Sequence, residues 1–317
     1  VNAEAWLRHR LINAVQSLLL LAMMAAILAA LGSIVAGGGG ALLALGLGAL
    51  LVAVNPGLSP RLILRLYGAR ALRPEEAPDL HSILELLAAR AELPAVPALH
   101  YVPSSIINAF AVGSRRRSAI AVTDGLLRAL SAREVAGVLA HEVSHVRHND
   151  MWVMGLADLF SRLTQIFSSL GQMLLLLNLP LLLLGAATVS WTAVLILILA
   201  PTASAVIQLA LSRTREYDAD LGAAELTGDP RALASALARM ERYQGRLFEQ
   251  ILFPGRRVPD PSLLRTHPPT EERIRRLLEL EQAPVAAFAE PFAVLDSRFV
   301  LPVVARRPRW RVWGLWY

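Results

Sequence analysis

His141-Glu142-Val143-Ser144-His145, followed 71 residues later by Glu216-Tyr217-Asp218-Ala219-Asp220, decides how this chain is read. On a helix, positions four apart lie one turn apart on the same face, so His141 and His145 converge on one point. Two imidazoles placed that way hold a single zinc ion, which keeps further positions for a third protein ligand and for water. Glu142 follows the first histidine and lies beside the ion rather than on it. There it can hold a water and take its proton, then pass the proton to a leaving amine. The residues predict peptide-bond hydrolysis with one Zn2+ per chain, His141 and His145 as ligands and Glu142 as general base and acid.

The third ligand is expected at Glu216, on a helix that leaves an apolar run. A zinc-bound histidine usually gives its other ring N–H to a carboxylate. Asp220, one turn beyond Glu216, suits that role toward His141. His148 is the decoy. The extended zincin pattern puts its third histidine six residues after the second, and here that position is Met151.

Composition supplies the setting. Of 317 residues, 55% are hydrophobic and 18% charged, with mean hydropathy +0.48. Soluble domains carry about 25% charged residues, so much of this surface is expected to face something other than water. All 31 basic residues are arginine and the net charge is +6. Nine of these arginines flank apolar runs, which favours membrane orientation over a nucleic-acid partner. With no cysteine in the chain, disulfides and thiolate-bound metal are excluded.

Two runs lack any charged residue, Leu11 to Pro60 and Leu163 to Ser212, each 50 residues long. A helix of about 20 residues crosses the hydrocarbon core, so each run fits two crossings and a turn. The first breaks at Gly37-Gly38-Gly39-Gly40, the second between Gly185 and Ser190, with Trp191 at the interface. Arg8, Arg10, Arg61, Arg65 and Arg70 flank the first run, and Arg147, Arg162, Arg213 and Arg215 the second. Neither turn holds an arginine. The positive-inside rule then puts both termini and both halves of the motif on the cytoplasmic side of the plasma (inner) membrane.

The expected fold is a mainly α membrane protein, with two transmembrane helical hairpins and a cytoplasmic α+β zincin-type metalloprotease domain holding a small sheet. The expected segments are an N-terminal hairpin over 1–60, protease domain over 61–162 and 213–282, a second hairpin over 163–212, and a tail over 283–317. Within the protease part, residues 74–92 read as an amphipathic helix. Ala98 to Val102, Ile106 to Val112 and Ala119 to Thr123 read as strands, and Asp124-Gly125 as punctuation. Ser131-Ala132-Arg133-Glu134 has the form of a capping box opening a helix through His148. Further helices are expected from Asp229-Pro230 to about Arg246 and over about 270–282. Asn108, Ala109, Phe110 and Ala111 fall on a predicted edge strand, where a peptide substrate can add as another strand. His267, in Thr266-His267-Pro268-Pro269, is a candidate donor to the oxyanion of the transition state.

These motifs resemble the HtpX family of membrane zinc proteases. The residues that carry the resemblance are Asn108-Ala109-Phe110-Ala111 with Gly113, His141 to His145 with Asp150, Ser212-Arg213 with Glu216-Tyr217 and Ala219-Asp220, and Thr266 to Pro269 with Glu272-Arg273-Ile274. The resemblance implies zinc, a cytoplasmic site, and proteolysis of damaged or misassembled membrane proteins under stress. The tail beyond 283 has no counterpart in it. Two rivals remain: a dedicated protease for one maturing substrate, and a membrane sensor or scaffold whose zinc domain binds without cutting.

Overall fold

Residues 3–54, 60–185, 190–251 and 270–281 are described by a computed structural model of the chain. They divide into two compact units, one of Val1–Arg10, Leu58–Met151 and Arg215–Tyr317, the other of Leu11–Gly57 and Trp152–Thr214.

The second unit is helical. Helix α1 (Ala3–Ala36) ends in a 3-10 turn over Gly37–Gly39, and α2 (Gly40–Val54) follows. Gly37 takes φ +68°, a conformation that costs a glycine little. The return is tight: a Cβ on Gly40 would stand 1.9 Å from the Gly32 carbonyl oxygen. The glycine run therefore breaks the first apolar stretch where the sequence predicts. Helix α7 (Asp150–Leu177) is followed by short α8 (Leu179–Leu183) and by α9 (Trp191–Thr227). Some of the unit's polar groups pair across helices. Ser161 Oγ donates to Gln208 Oε1 at 2.7 Å, and Ser168 Oγ donates to the Leu197 carbonyl. Leu28, Leu31, Ala44, Leu163, Phe167 and Leu197 pack into one apolar cluster, and Met24, Ala157, Ile207 and Leu211 into another. Outside these clusters the helices expose large apolar side chains: Leu42 is 76% exposed and Trp191 81%. Two helical stretches, Leu11–Leu50 and Trp191–Thr227, are long and apolar enough to cross a membrane.

The first unit is built on a four-stranded sheet in the order β1-β2-β4-β3. After α3 (Pro60–Leu66) come β1 (Arg70–Ala71), α4 (Pro78–Arg90), β2 (Ala98–Val102), β3 (Ala109–Ser114) and β4 (Arg117–Thr123). β2 and β4 pair in parallel, and β3 closes on β4 as an antiparallel hairpin through Arg115-Arg116, leaving β3 on an edge. β3 starts at Ala109 and not at Ile106, because Thr123 takes over the pairing below it. Its Oγ1 donates to the Ile106 and Asn108 carbonyls and accepts from the Asn108 N–H. The same oxygen accepts from the Leu126 N–H and caps α5 (Asp124–Ala129), a helix that Asp124-Gly125 hid behind the look of a turn.

Helix α6 (Ala132–His148) is the centre of this unit. Ser131 and Glu134 form the expected capping box, with Glu134 Oε2 accepting from the Ser131 N–H at 2.8 Å. Apart from Arg133, every α6 residue from Ala132 to Val146 is buried. The helix is enclosed by β3, α4 and α10 (Pro230–Ile251), and α10 packs in turn on α11 (Thr270–Glu281). Leu80, Leu84, Leu87, Leu139, Leu233 and Leu277 are fully buried in the shared core. Each contributes about 1.5–3 kcal/mol, which is what holds a helix with four buried ionisable side chains, Glu134, His141, Glu142 and His145, inside the protein.

Candidate functional site

The helix period brings His141 and His145 onto one face of α6, and the edges of the two rings meet there. Their Nε2 atoms stand 3.1 Å apart. Glu216, on α9, closes the third corner, with Oε2 3.5 Å from His141 Nε2 and Oε1 3.7 Å from His145 Nε2. All three side chains are buried. Donors about 2.05 Å from a tetrahedral zinc ion lie about 3.3 Å from one another. The observed separations match that figure, and these three are the group of ligand atoms among the described residues that could hold a metal ion. Three electron-pair donors facing one buried point repel unless a cation joins them, so the donor set fits a metal.

Two carboxylates stand behind the rings. Asp220 Oδ1 lies 3.0 Å from His141 Nδ1, and Asp150 Oδ2 lies 2.7 Å from His145 Nδ1. Each therefore turns its imidazole so that Nε2 faces the donor cluster. Burial works against charge on His141, but the Asp220 and Glu216 carboxylates close by outweigh it and push the imidazole up to about 9. Burial would raise the Asp150 carboxyl. The hydrogen bond and charge of His145, with Arg215 beyond, hold it below its usual range instead.

Glu142 lies beside the cluster, and its Oε2 accepts a hydrogen bond from the Ala111 N–H at 2.8 Å. Ala111 is on the open side of edge strand β3, and Ala109, two residues back, points the same way along the strand. Phe110 packs its ring against Tyr67 at 5.0 Å, and the Asn108 N–H is held by Thr123. His267 lies outside the described residues.

The profile of peptidase family M48 matches residues 74–281. "Protease HtpX homolog" of Acaryochloris marina is 40% identical over 245 residues, covering 71% of this chain and 79% of that protein. The chain belongs to peptidase family M48. A second HtpX homolog, from Pyrococcus furiosus, is 39% identical over 245 residues, covering 70% of this chain and 80% of that protein. Among solved structures, S. mikatae Ste24p superposes with TM-score 0.44 at 20% identity, over 85% of this chain and 66% of that one, just under two thirds of its length. With its two helices long and apolar enough to span a bilayer, this M48 chain is a membrane metallopeptidase acting on peptide bonds.

Two contributors to the M48 site escape a reading by spacing. The first is Asp150. Asn149 ends α6 in the left-handed conformation, φ 57°, which asparagine tolerates better than most residues. That turn carries the next residue back over His145. The signal was present as Asn-Asp directly after the helix that carries His141 and His145. The second is Arg273, on α11. It is 5% exposed and donates through Nε and NH2 to the two Asp220 oxygens at 2.7 and 2.6 Å, while NH1 stands 3.2 Å from Glu216 Oε2. Burial opposes its charge, and Asp220 and Glu216 more than restore it. Nothing in the local sequence distinguishes it from Arg275 or Arg276, which pair on the surface with Glu272. One close contact fixes the spacing of the helices that carry the donor cluster: a Cβ on Gly222 would stand 2.1 Å from Ser144 Oγ. The decoy His148 lies on this seam, with Nδ1 3.4 Å from the same Oγ.

Proposed function

We propose that this chain is an integral-membrane zinc endopeptidase. Its site would lie at the cytoplasmic face, and it would degrade damaged or misassembled membrane proteins under stress. The observation that carries the reading is the convergence of His141 Nε2, His145 Nε2 and the Glu216 carboxylate within 3.1–3.7 Å, with Glu142 alongside. Zinc, when bound there, supplies a Lewis acid that polarises a substrate carbonyl and makes a water more acidic. The remaining work falls to the protein. Glu142 takes the proton of the attacking water and returns it to the leaving amine. Asp220 and Asp150 keep the imidazole Nδ1 atoms protonated and the rings aimed. Within 108–111, Ala109 and Ala111 turn main-chain groups along the β3 edge toward an extended peptide, while Asn108 anchors the strand to Thr123. Since the Ala111 N–H donates to Glu142, a peptide seating there sets the position of the base as well as its own.

The bilayer placement rests on the two uncharged runs and their arginine flanks. Glu216 follows Ser212, the last residue of the second run, by four positions on one helix, about 6 Å along its axis. A substrate leaving the headgroup layer would meet the site without a long aqueous path.

Metal content and cleavage of an unfolded protein, measured in detergent for the parent and Glu142→Gln, test the assignment. The variant should keep its metal and lose activity by about 10²–10⁴-fold. Retained cleavage, or loss of metal along with activity, would contradict Glu142 as the base. A variant that cuts nothing yet preserves the cellular phenotype would favour the scaffold.

A further inference from the structure

Surface arginines in this protein are mostly matched to carboxylates. Arg128 pairs with Asp124, Arg162 with Asp158, and Arg275 with Glu272 and Glu279, at 2.6–2.7 Å. Five are not. Arg61 and Arg65 on α3, and Arg115, Arg116 and Arg117 at the β3–β4 turn, are exposed and have no ion pair or hydrogen bond to any described residue. Arg115 and Arg116 on the turn and Arg117 at the start of β4 are adjacent like charges, and an anionic counter-charge from outside the chain lowers their mutual repulsion.

The two groups belong to one region. Helix α3 lies on the β3 and β4 strands. Leu64 and Ile63 on its inner side join Val102, Val112, Ala119 and Ala121 in a small core. Its other side shows Arg61 and Arg65 one turn apart, and next to them Leu62, 48% exposed, and Leu66, 66% exposed. Arginine beside exposed leucine is the composition of a helix lying in a lipid interface, with aliphatic parts among the acyl chains and guanidinium groups among phosphates. In sequence α3 starts six residues after the end of α2, a tether that reaches about 20 Å at most.

We propose that α3 and the arginine-tipped β3–β4 turn form a docking surface for the anionic headgroups of the bilayer. This rests on the reading that the apolar helices cross that bilayer. The partner is a phospholipid surface because the surface combines unmatched positive charge with exposed leucine on a helix tied to an apolar span. Docking keeps the open β3 edge, and so the peptide-binding side of the site, alongside the headgroups.

The full chain has no cysteine, so a single Ser114→Cys at the exposed base of the turn can carry a donor dye. The protein is placed in nanodiscs with a headgroup-borne acceptor, made either of neutral phosphatidylcholine or with a third phosphatidylglycerol. A second reporter at Leu42→Cys records whether the apolar helices are embedded. Each arginine near an anionic leaflet shifts the docked population by about fivefold. Energy transfer from position 114 should therefore be higher in anionic discs. It should fall at 1 M salt, where screening is nearly complete within about 3 Å. It should fall also in the Arg115→Gln/Arg116→Gln/Arg117→Gln variant, by on the order of a hundredfold in the docked-to-free ratio. That variant should still cleave a short soluble peptide at the parental rate. Equal transfer in both lipids, unchanged by the triple substitution while Leu42→Cys reports embedding, overturns the docking surface alone. No embedding at Leu42→Cys overturns the membrane reading and the docking with it. Transfer that ignores lipid charge but drops on adding polyglutamate reassigns the turn to an acidic polypeptide.

Discussion

Asp220→Ala tests the network behind the donor cluster. Asp220 accepts two hydrogen bonds from Arg273, at 2.7 and 2.6 Å, and stands 3.0 Å from His141 Nδ1. Both charged partners are buried. Charge-assisted bonds contribute about 1.5–3 kcal/mol each, so the two from Arg273 amount to about 3–6 kcal/mol. An independent route gives a similar figure, since removing one partner of a buried ion pair costs about 3–5 kcal/mol. The loss is that large because Arg273 would remain buried with only the weaker influence of Glu216 and Glu142 to answer its charge. Metal affinity should fall as well, by about 10–100-fold, as His141 loses the group that orients it. Unfolding of the detergent-solubilised protein reads the first effect and chelator competition the second. Asp220→Ala/Arg273→Met removes both charges and should be more stable than Asp220→Ala alone, because no unpaired ion is left behind. The reasoning is refuted if Asp220→Ala costs less than about 1 kcal/mol, the range of a solvent-exposed pair. Strictly additive effects of the two substitutions would refute it equally.

Gly222→Ala should destabilise by about 1–3 kcal/mol through overpacking against Ser144, and Ser144→Ala in the same chain should recover part of it; a melting temperature unchanged by the single substitution would show that the helices separate freely. Metal binding should strengthen with pH. His141 is protonated more readily in the folded, metal-free protein, at about 9 against 6.5 in the unfolded chain. The fold therefore gains from the proton below about pH 6.5 and loses that gain as pH rises toward 9, while a metal needs the neutral ring. Chelator competition at pH 6 to 9 should show affinity rising up to about tenfold per unit and flattening above 9, and a flat profile below 9 counts against the assigned proton. Ser131→Ala breaks the capping box of α6 and should cost about 0.5–2 kcal/mol in an unfolding titration; no loss would mean that burial alone fixes the helix start.

What the sequence determined by itself was whatever depends on short spacing. The four-residue interval of His141 and His145, the Ser131/Glu134 cap and the Gly37–Gly40 break each act within a few residues along the chain. Their geometry follows from the helix period and from backbone sterics. The charge-free runs belong here too, since hydropathy over 50 residues needs no tertiary information. Apart from Asp220, expected one turn beyond Glu216, tertiary structure alone decided which carboxylates and cations surround the donors. Asp150 reaches His145 only through the left-handed turn at Asn149, and Arg273 reaches Asp220 only because α11 packs on α10. The Ala111 N–H meets Glu142 because the sheet edge lies on α6. The last two contacts join residues 53 and 31 positions apart, and the first needs a left-handed residue at a helix end. They depend on how apolar faces pack, and a local sequence pattern carries no record of that.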